Sequence, residues 1–446
     1  MQNKQTSPEL LSRRRFLSVS GRYLGLFTAI GAVGALSNLT QSCGSSPLTS
    51  PKNHRFLEDL QRRQLSYFLE NQTDSGLMLD RQHNHAAPDL SGITSTAATG
   101  MGLIALALAS QPEYHMLTHA DAVSRVEKAL RTVQNLPQKH GIMPHFLDSK
   151  LNVLGTDHFS TIDSSWLIAG ALASAQILGD SKLMSMAEAL YNRVDWRYWA
   201  RDPAGESLLT MGQTADGSFL GNRWDRLNAE TAFMYLMAFG APSHLALQKN
   251  VLQKLVPVAA NDWKDMGLFV SQYSNCLLDG EYLWHVMGMN MLQIERTQTL
   301  YNERVCRSLG VLYETYADKL WGLSAGDGPS ESGDVYKAYS PTTADGTAHI
   351  TATLASVEVA PKSVLDNALR ASKLRLGPQK LEPLGKYGFS NINVDRLWIS
   401  RDVVGIDIGA AIMSIDNYLN DNRVKQSFLR LGFVNRAAKV LGGQTS

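Results

Sequence analysis

The stretch FSTIDSSWLIAGALASAQIL, residues 159–178, decides the fold class of this chain. A polar opening, Phe159 to Asp163, leads into an apolar run rich in Ala and Gly, Trp166–Leu178. Asp163 follows Ser160 by three residues, which is the spacing of a helix capping box. Apolar residues on every side are typical of a helix that is buried all round. The stretch therefore predicts an inner helix that begins just after a polar loop.

Five more segments repeat this pattern of a polar opening before an apolar run. The runs are Ala97–Ala109, Glu230–Phe239, Tyr282–Ile294, Ile350–Val359 and Ala410–Leu419. The openings recur at intervals of roughly 60 residues, which is room for two helices and two loops. Amphipathic segments between the runs predict outer helices with one wet face, at Ala120–Val133, Lys182–Arg193 and Glu303–Leu320. Together they predict an all-α fold, an (α/α)6 toroid of six inner and six outer helices.

The composition excludes several classes of protein. The chain has 446 residues, with 42 Lys+Arg against 41 Asp+Glu and 3 Cys. A formal net charge of +1 and the lack of a basic patch give no electrostatic reason to bind nucleic acid. Three cysteines are too few for a disulfide scaffold or a multi-cysteine metal domain. Whether Cys276 and Cys306 pair with each other is left open, because sequence does not give their separation.

The N-terminus is typical of a targeting segment. Residues 12–17, SRRRFL, have the pattern of a twin-arginine export signal, and no charged residue follows from Tyr23 to Pro51. We predict a signal peptide and linker over residues 1–51, a catalytic domain over residues 52–446, and a location in the bacterial periplasm or on the cell surface. Residues 39–43, LTQSC, resemble a loose lipobox, so lipidation of Cys43 is left open. A signal anchor that stays in the membrane is the alternative.

The loops that open the inner helices hold many carboxylates and aromatic side chains. The carboxylates are Asp80, Asp163, Asp225, Glu230, Asp279, Glu281, Asp327, Asp345 and Asp407. The aromatic residues are Trp166, Trp224, Tyr273, Tyr282, Trp284 and Trp321. Glycosidic cleavage needs one carboxylic acid to protonate the leaving oxygen and a second carboxylate to activate water or attack. Because aromatic faces also stack on pyranose rings, this combination favours a sugar site.

Structural roles compete with each of these assignments. Asp163, Asp225, Asp279 and Asp407 each fit an N-cap or capping box, and Glu230 fits the positive end of a helix. A helix N-terminus also lowers the pKa of a carboxyl, whereas a general acid needs it raised. Glu230 would therefore have to be desolvated, for instance by Trp224.

Two other motifs are weaker. Gly100-Met101-Gly102 matches part of a dinucleotide fingerprint, but we interpret it as close helix packing because no βαβ unit surrounds it. The group of His83, His85 and Asp80 could bind a metal, and a solvated loop is the favoured reading. We predict no metal and no cofactor.

Several phrases in order along the chain resemble the bacterial glucoamylase-like family, which includes endo-β-1,2-glucanases and is related to a domain of cyclic β-1,2-glucan synthases. They are GLMLDR at 76–81, HFLD at 145–148, STID at 160–163, QYS at 272–274, WGLSAGDGP at 321–329, DGT at 345–347 and GID at 405–407. The resemblance implies an (α/α)6 toroid that hydrolyses β-1,2-glucan with inversion and without a metal.

The resemblance also implies roles for individual residues. Glu230 matches the general acid, through the register of Leu236, Gly240, Pro242 and His244, and Asp163 is the second catalytic candidate. The residues matched to the substrate cleft are Asp80, Arg81, Gln272, Tyr273, Asp327 and Asp407, to which we add the aromatic Trp166 and Trp224. The chain departs from the family at Ser271 and Asn275, where His is common, and at residues 280–296, which contain Glu281, Trp284 and His285. We expect both departures to face the cleft.

These observations predict an exported inverting glycoside hydrolase whose partner is an oligo- or polysaccharide of β-1,2-glucan or a similar β-glucan. Two alternatives stay open at this point. One is a transglycosylase or polysaccharide lyase on the same toroid, and the other is an envelope protein that binds glycans without cleaving them.

Overall fold

The computed structural model describes residues 51–202, 205–227, 230–280, 282, 287–288 and 290–442. The predicted export signal and Cys43 lie outside these residues, as do Glu281, Trp284 and His285 of the departing segment. In the described part of the chain, no helix is both long enough and apolar enough to span a membrane.

The described chain is mostly helical, as the sequence predicts. Its α-helices are α1 Pro51–Glu70, α2 Thr96–Ala109, α3 His119–Asn135, α4 Thr161–Leu178, α5 Ser181–Tyr191, α6 Trp196–Trp199, α7 Ala232–Phe239, α8 Phe269–Leu277, α9 Met291–Ser308, α10 Glu314–Ala317, α11 Ile350–Leu354, α12 Pro361–Ala371, α13 Gly405–Leu419, α14 Arg423–Leu429 and α15 Gly432–Leu441. Short 3-10 helices occupy Lys249–Lys254, Ala260–Asp265 and Leu309–Val311.

The strands are short and lie in the loops between helices. They are β1 Arg81–His83, β2 Thr94–Ser95, β3 Pro144–Leu147, β4 Val153–Ser160, β5 Arg201–Asp202, β6 Gly205–Glu206, β7 Gly212–Gln213, β8 Ala325–Ser330, β9 Gly333–Ala338, β10 Leu384–Gly385, β11 Gly388–Phe389, β12 Ile392–Asn393, β13 Trp398–Ile399 and β14 Asp402–Val404. All of these named strands pair antiparallel.

Six buried helices contact one another in chain order. Helix α2 packs on α4, α4 on α7, α7 on α8, α11 on α13, and α13 returns to α2. The remaining link is made by Gln272 of α8, whose amide nitrogen donates to the carbonyl of Ala352 in α11 at 2.9 Å. This is the order of neighbours that a closed ring of inner helices requires, although the six-plus-six toroid itself stays a prediction.

Two glycines allow α2 and α4 to pack closely. A Cβ on Gly170 of α4 would lie 1.9 Å from the carbonyl oxygen of Gly100 in α2, and a Cβ on Gly100 would lie 2.2 Å from that of Trp166. Any side chain would force the helices apart. The interpretation of Gly100 as a packing residue is thus confirmed. A two-residue strand does precede α2, but it belongs to an antiparallel sheet.

The fourth inner helix differs from the predicted one. The buried helix is α8, Phe269–Leu277, whereas the end of the predicted run Tyr282–Ile294 forms the start of the amphipathic helix α9. The predicted outer helix Glu303–Leu320 is also wrong in extent, because α9 ends at Ser308. All nine residues of α8 are buried, although four of them are polar. A search for apolar runs therefore does not detect this helix.

The two cysteines that the structure describes are free and buried. Cys276 packs in the larger hydrophobic cluster, and Cys306 packs in a second cluster around Trp321 and Leu354. The question of a Cys276–Cys306 disulfide is therefore answered: the two do not pair.

The loops that open the inner helices contact one another. The sheet β2-β3-β4-β7 joins the loops in front of α2, α4 and α7. Strands β1 and β14 pair in front of α2 and α13. The amide of Thr342 donates to the carbonyl of Lys264, which joins the loops in front of α8 and α11. These contacts gather the N-terminal ends of the buried helices at one end of the fold.

Candidate active site

Arg81 holds two carboxylates from distant parts of the chain. Its Nη1 donates to Oδ1 and Oδ2 of Asp327 at 3.1 and 3.0 Å, and its Nε donates to Asp80 at 3.3 Å. Burial raises the pKa of Asp327, and the charge of Arg81 opposes that shift. The guanidinium also lies 6.0 Å from the ring centre of Tyr336 on β9. The predicted cleft residues Asp80, Arg81 and Asp327 are thus brought together.

The strand pairing explains how Asp407 reaches the same region. Arg81 on β1 stands opposite Val404 on β14, and the amide of Gly405 donates to the carbonyl of Asp80 at 2.7 Å. Helix α13 begins at Gly405, so Asp407 lies in its first turn. Its Oδ1 accepts a hydrogen bond from the hydroxyl of Tyr273 at 3.0 Å. Asp407 and Tyr273, both predicted site residues, are therefore in direct contact.

An aromatic cluster connects Tyr273 to the starts of α4 and α7. The ring of Trp166 lies edge-on to Tyr273, with centroids 5.8 Å apart, and 4.5 Å from the ring of Phe233. Trp166 is 2% exposed. Its contacts are those of a packing residue beneath Tyr273, and a stacking contact between Trp166 and sugar stays a prediction.

Asp163 lies in the first turn of α4, where the capping prediction is confirmed in part. The hydroxyl of Ser160 caps the helix by accepting from the amide of Asp163. The amide of Ser160 donates to the carbonyl of Met143 on the neighbouring loop. The carboxylate of Asp163 accepts from the Ser160 hydroxyl and lies 3.3 Å from Nε2 of His145 on β3. Capping therefore leaves this carboxylate in contact with a titratable partner.

Glu230 is 5% exposed and lies two residues before α7. This burial meets the desolvation condition that the acid role imposes. Trp224 is also buried, and its indole nitrogen donates to Oγ1 of Thr161, the first residue of α4, at 3.0 Å. The segment in front of Glu230 is thus tied to the helix that carries Asp163.

Three expected cleft residues take part in helix packing. Gln272 donates to the carbonyl of Ala352 and to Oγ of Ser356, so its amide nitrogen holds α8 to α11. Asn275 donates to Glu295 and to two backbone carbonyls. Ser271 donates to the carbonyl of Leu268. The expectation that the departures at Ser271 and Asn275 face the cleft is wrong, because both side chains are buried and bonded within the helical layer.

His83, one of the residues that could bind a metal, instead contacts a carboxylate. Nδ1 of His83 lies 2.5 Å from Oδ1 of Asp402 on the paired strand β14. Within the described ranges, no group of His, Cys, Asp and Glu side chains is arranged to hold a metal ion.

Sequence reasoning missed several residues of this region. His145 contacts Asp163, Tyr336 lies beside Arg81, and Asn391 donates to the carbonyl of Asp327 at 3.0 Å. His145 belongs to the quoted phrase HFLD, and that phrase is the signal that could have found it.

Part of the chain is similar in sequence to a known family. Residues 222–430 match the family described as putative glucoamylase. No sequence among the curated proteins matches the chain.

Solved structures with the same fold cover most of the chain. A putative glucoamylase from Bacteroides fragilis NCTC 9343 has 22% identity and a TM-score of 0.73, over 90% of this chain and 100% of that one. An endo-β-1,2-glucanase from Chitinophaga pinensis, solved with sophorotriose and glucose, has 19% identity and a TM-score of 0.72, over 88% and 99%. One from Talaromyces funiculosus, solved with sophorose, has 12% identity and a TM-score of 0.59, over 87% and 90%. The chain therefore shares the fold of these proteins, and its residues 222–430 are similar to the putative glucoamylase family.

Proposed function

We propose that the chain is an exported glycoside hydrolase that cleaves β-1,2-glucan, or a related β-glucan, by an inverting acid/base mechanism on an (α/α)6 toroid. The observation that carries the proposal is the gathering of acidic side chains from separate stretches of the chain at one end of the buried helices. Asp80, Asp327 and Asp407 are linked through Arg81 and the β1–β14 pair. Asp163 lies one turn before Trp166 on α4, and the ring of Trp166 contacts Tyr273, which binds Asp407.

The chemistry assigns two distinct roles. Glu230, withdrawn from bulk water, donates a proton to the glycosidic oxygen as the bond to the anomeric carbon breaks. Asp163 takes a proton from the water that attacks the opposite face of that carbon, or orients the sugar for the attack. Inversion requires a separation of roughly 6.5–9.5 Å between the two carboxyl groups so that the water fits. The contact of Asp163 with His145 and Ser160 fixes the orientation of its carboxylate.

The proposed substrate rests on the structural relatives. Two of them were solved with sophorotriose and glucose or with sophorose, which are fragments or units of β-1,2-glucan. The site of this chain is acidic and bordered by aromatic side chains, a combination that suits a neutral polysaccharide. A lyase acting on uronic acids would need a basic site, whereas Arg81 is here neutralised by Asp80 and Asp327.

Export is proposed from the sequence of residues 1–51 alone. Replacing Arg13 and Arg14 together by Lys should keep the protein in the cytoplasm if the twin-arginine route is used. Replacing Cys43 by Ser should release the protein from the membrane fraction if that cysteine carries lipid. Retention at the membrane in the Cys43→Ser variant would support an uncleaved anchor instead.

The function is tested by incubating the protein with linear β-1,2-, β-1,3-, β-1,4- and α-1,4-glucans. Products are separated by chain length, and the anomer formed first is followed by NMR. Short β-1,2-linked oligosaccharides released as the α-anomer support the proposal. Transfer products, or a product that absorbs in the ultraviolet, would indicate the transglycosylase or the lyase. Binding without turnover on every glucan would indicate the glycan-binding protein.

A further inference from the structure

Trp398 differs from most other tryptophans that the structure describes. Five of them, Trp166, Trp196, Trp199, Trp224 and Trp321, are at most 5% exposed and pack in the hydrophobic clusters. Trp263 is partly exposed and packs against the larger cluster. Trp398 is partly exposed and, among the described residues, packs in neither cluster. A large aromatic face left partly in water without a core contact costs hydrophobic free energy, so it calls for an explanation.

The indole of Trp398 is held by a polar anchor. Its Nε1 donates to Oδ1 of Asp334 at 2.9 Å, and Oδ2 of the same carboxylate accepts from the backbone amide of Arg401 at 3.0 Å. Asp334 therefore bridges two points of the segment that leads into α13. Because the nitrogen edge of the indole is fixed, the orientation of the ring is fixed while part of its surface stays accessible.

The anchor belongs to the hairpin that carries Asp327. In the β8–β9 pair, Asp327 stands opposite Tyr336, and Pro329 stands opposite Asp334. Asp334 is thus two pairs further along the hairpin, about 7 Å from Tyr336 at the usual rise per residue. Tyr336 in turn lies beside Arg81. Arg401, three residues after Trp398, has a side chain that is 72% exposed, and its Nε lies 3.4 Å from Oδ1 of Asp402.

We propose that Trp398 and Arg401, both anchored to Asp334, form a distal sugar-binding subsite at the outer end of the β8–β9 hairpin, which binds a glucan unit away from the bond being cleaved. This inference rests on the proposed function and deepens it. The indole stacks on the apolar face of a pyranose ring, and the guanidinium of Arg401 donates to its hydroxyl groups. Only glucan chains long enough to extend from Arg81 and Asp327 to the outer end of the β8–β9 hairpin would contact this subsite.

Chain-length dependence tests the subsite. Wild type, Trp398→Ala and Trp398→Phe are assayed on β-1,2-linked oligosaccharides of increasing length, with Leu397→Ala as a control because Leu397 is the exposed neighbour in sequence. Trp398→Ala should raise KM for long chains about 3- to 10-fold and leave short chains and kcat unchanged. Trp398→Phe keeps an aromatic face but loses the hydrogen bond to Asp334, so its rise in KM should be smaller than that of Trp398→Ala. Equal losses on all lengths, or equal losses in Leu397→Ala, would overturn the subsite and assign Trp398 a merely structural role.

The anchor and the binding step have their own readouts. Asp334→Asn keeps an oxygen for the indole but loses the acceptor for the amide of Arg401, so its long-chain defect should be weaker than that of Asp334→Ala, which should reproduce the defect of Trp398→Ala. Tryptophan fluorescence of wild type and Trp398→Phe, titrated with β-1,2-, β-1,3- and β-1,4-linked oligosaccharides, reports on stacking without turnover. If wild type cleaves none of them, the proposed function fails. The subsite still stands if a wild-type signal is lost in Trp398→Phe, and it falls if no such difference appears.

Discussion

The hydroxyl of Tyr273 donates a hydrogen bond to Oδ1 of Asp407 at 3.0 Å, although the two residues are 134 positions apart in the chain. Tyr273 lies in the middle of α8 and Asp407 in the first turn of α13, so the bond joins two buried helices. Trp166 of α4 packs edge-on against the same tyrosine. This bond therefore fixes the orientation of a carboxylate at the point where three helices meet.

Removing the Tyr273 hydroxyl should impair turnover more than folding. Tyr273→Phe keeps the ring contacts and loses one hydrogen bond, worth about 1–3 kcal/mol when the acceptor is charged. Because Asp407 then loses one of the contacts that orient it, we expect kcat/KM to fall about 10- to 100-fold. Tyr313→Phe is the control, since its hydroxyl donates to the carbonyl of Ala344 at 3.4 Å. Equal activity losses in both variants would contradict a role in the site.

Replacing Arg81 should move the acid side of the pH profile. Burial raises the pKa of Asp327 and Arg81 counteracts that rise, so Arg81→Gln raises this pKa further. The ionised fraction of Asp327 then declines at a higher pH, and the acidic limb of kcat/KM against pH should shift upward. Arg81→Lys keeps the positive charge but not the contact with both oxygens of Asp327, so it should shift the acidic limb less. A profile of Arg81→Gln that overlays that of wild type would show that ionised Asp327 is not needed.

Glu295 should make stability depend on pH. Burial raises the pKa of the Glu295 carboxyl from 4.5 to about 8. The carboxylate of Glu358 adds to this rise, and the amine of Lys425 opposes it. The folded state holds this proton more tightly than the unfolded state. Its contribution to stability is therefore full below pH 4.5 and is lost as pH rises to about 8.

Glu295→Gln removes that titration. In denaturant unfolding, the stability of wild type relative to Glu295→Gln should fall by about 2–4 kcal/mol between pH 4.5 and 8. Among the described residues, Oε1 of the buried Glu295 has no hydrogen-bond partner, which disfavours the charged form. A stability difference that stays constant over this range would mean that Glu295 is charged throughout.

The contact of α2 with α4 should tolerate no side chain at Gly170. A Cβ there would lie 1.9 Å from the carbonyl oxygen of Gly100, so Gly170→Ala must separate the helices. We expect it to cost about 3 kcal/mol, measured by chemical unfolding. Gly221→Ala is the control, because a Cβ at Gly221 would meet nothing within 4 Å, and its effect should stay within about 0.5 kcal/mol. Similar stabilities for the two variants would contradict the packing.

The sequence predicts much of the helical layer because the deciding signals are local. The apolar runs of α2 and α4 and their polar openings are visible in adjacent residues, and so is the Ser160 cap. Helix α8 is hidden because its polar side chains, such as Gln272 and Asn275, are satisfied by distant helices. The β1–β14 pairing and the contact of Arg81 with Asp327 are also long-range, and they decide which carboxylates meet.

The site residues divide in the same way. Tyr273, Asp407, Asp80, Arg81 and Asp327 are found from the resemblance and are linked in the structure. His145 and Trp398 are missed, because a short strand and a hairpin anchor have no signature of their own. The packing role of Gln272 is likewise decided by Ala352, 80 residues away in the chain.

Turnover of β-1,2-glucan by Glu230→Gln tests the central claim most directly. The variant keeps the size of the buried side chain and removes the proton it would donate. We expect kcat to fall by a factor of about 10² or more, with oligosaccharide binding, measured by calorimetry, within a few-fold of wild type. A variant that still cleaves the glucan at a near-normal rate would contradict the assignment of Glu230 as the general acid.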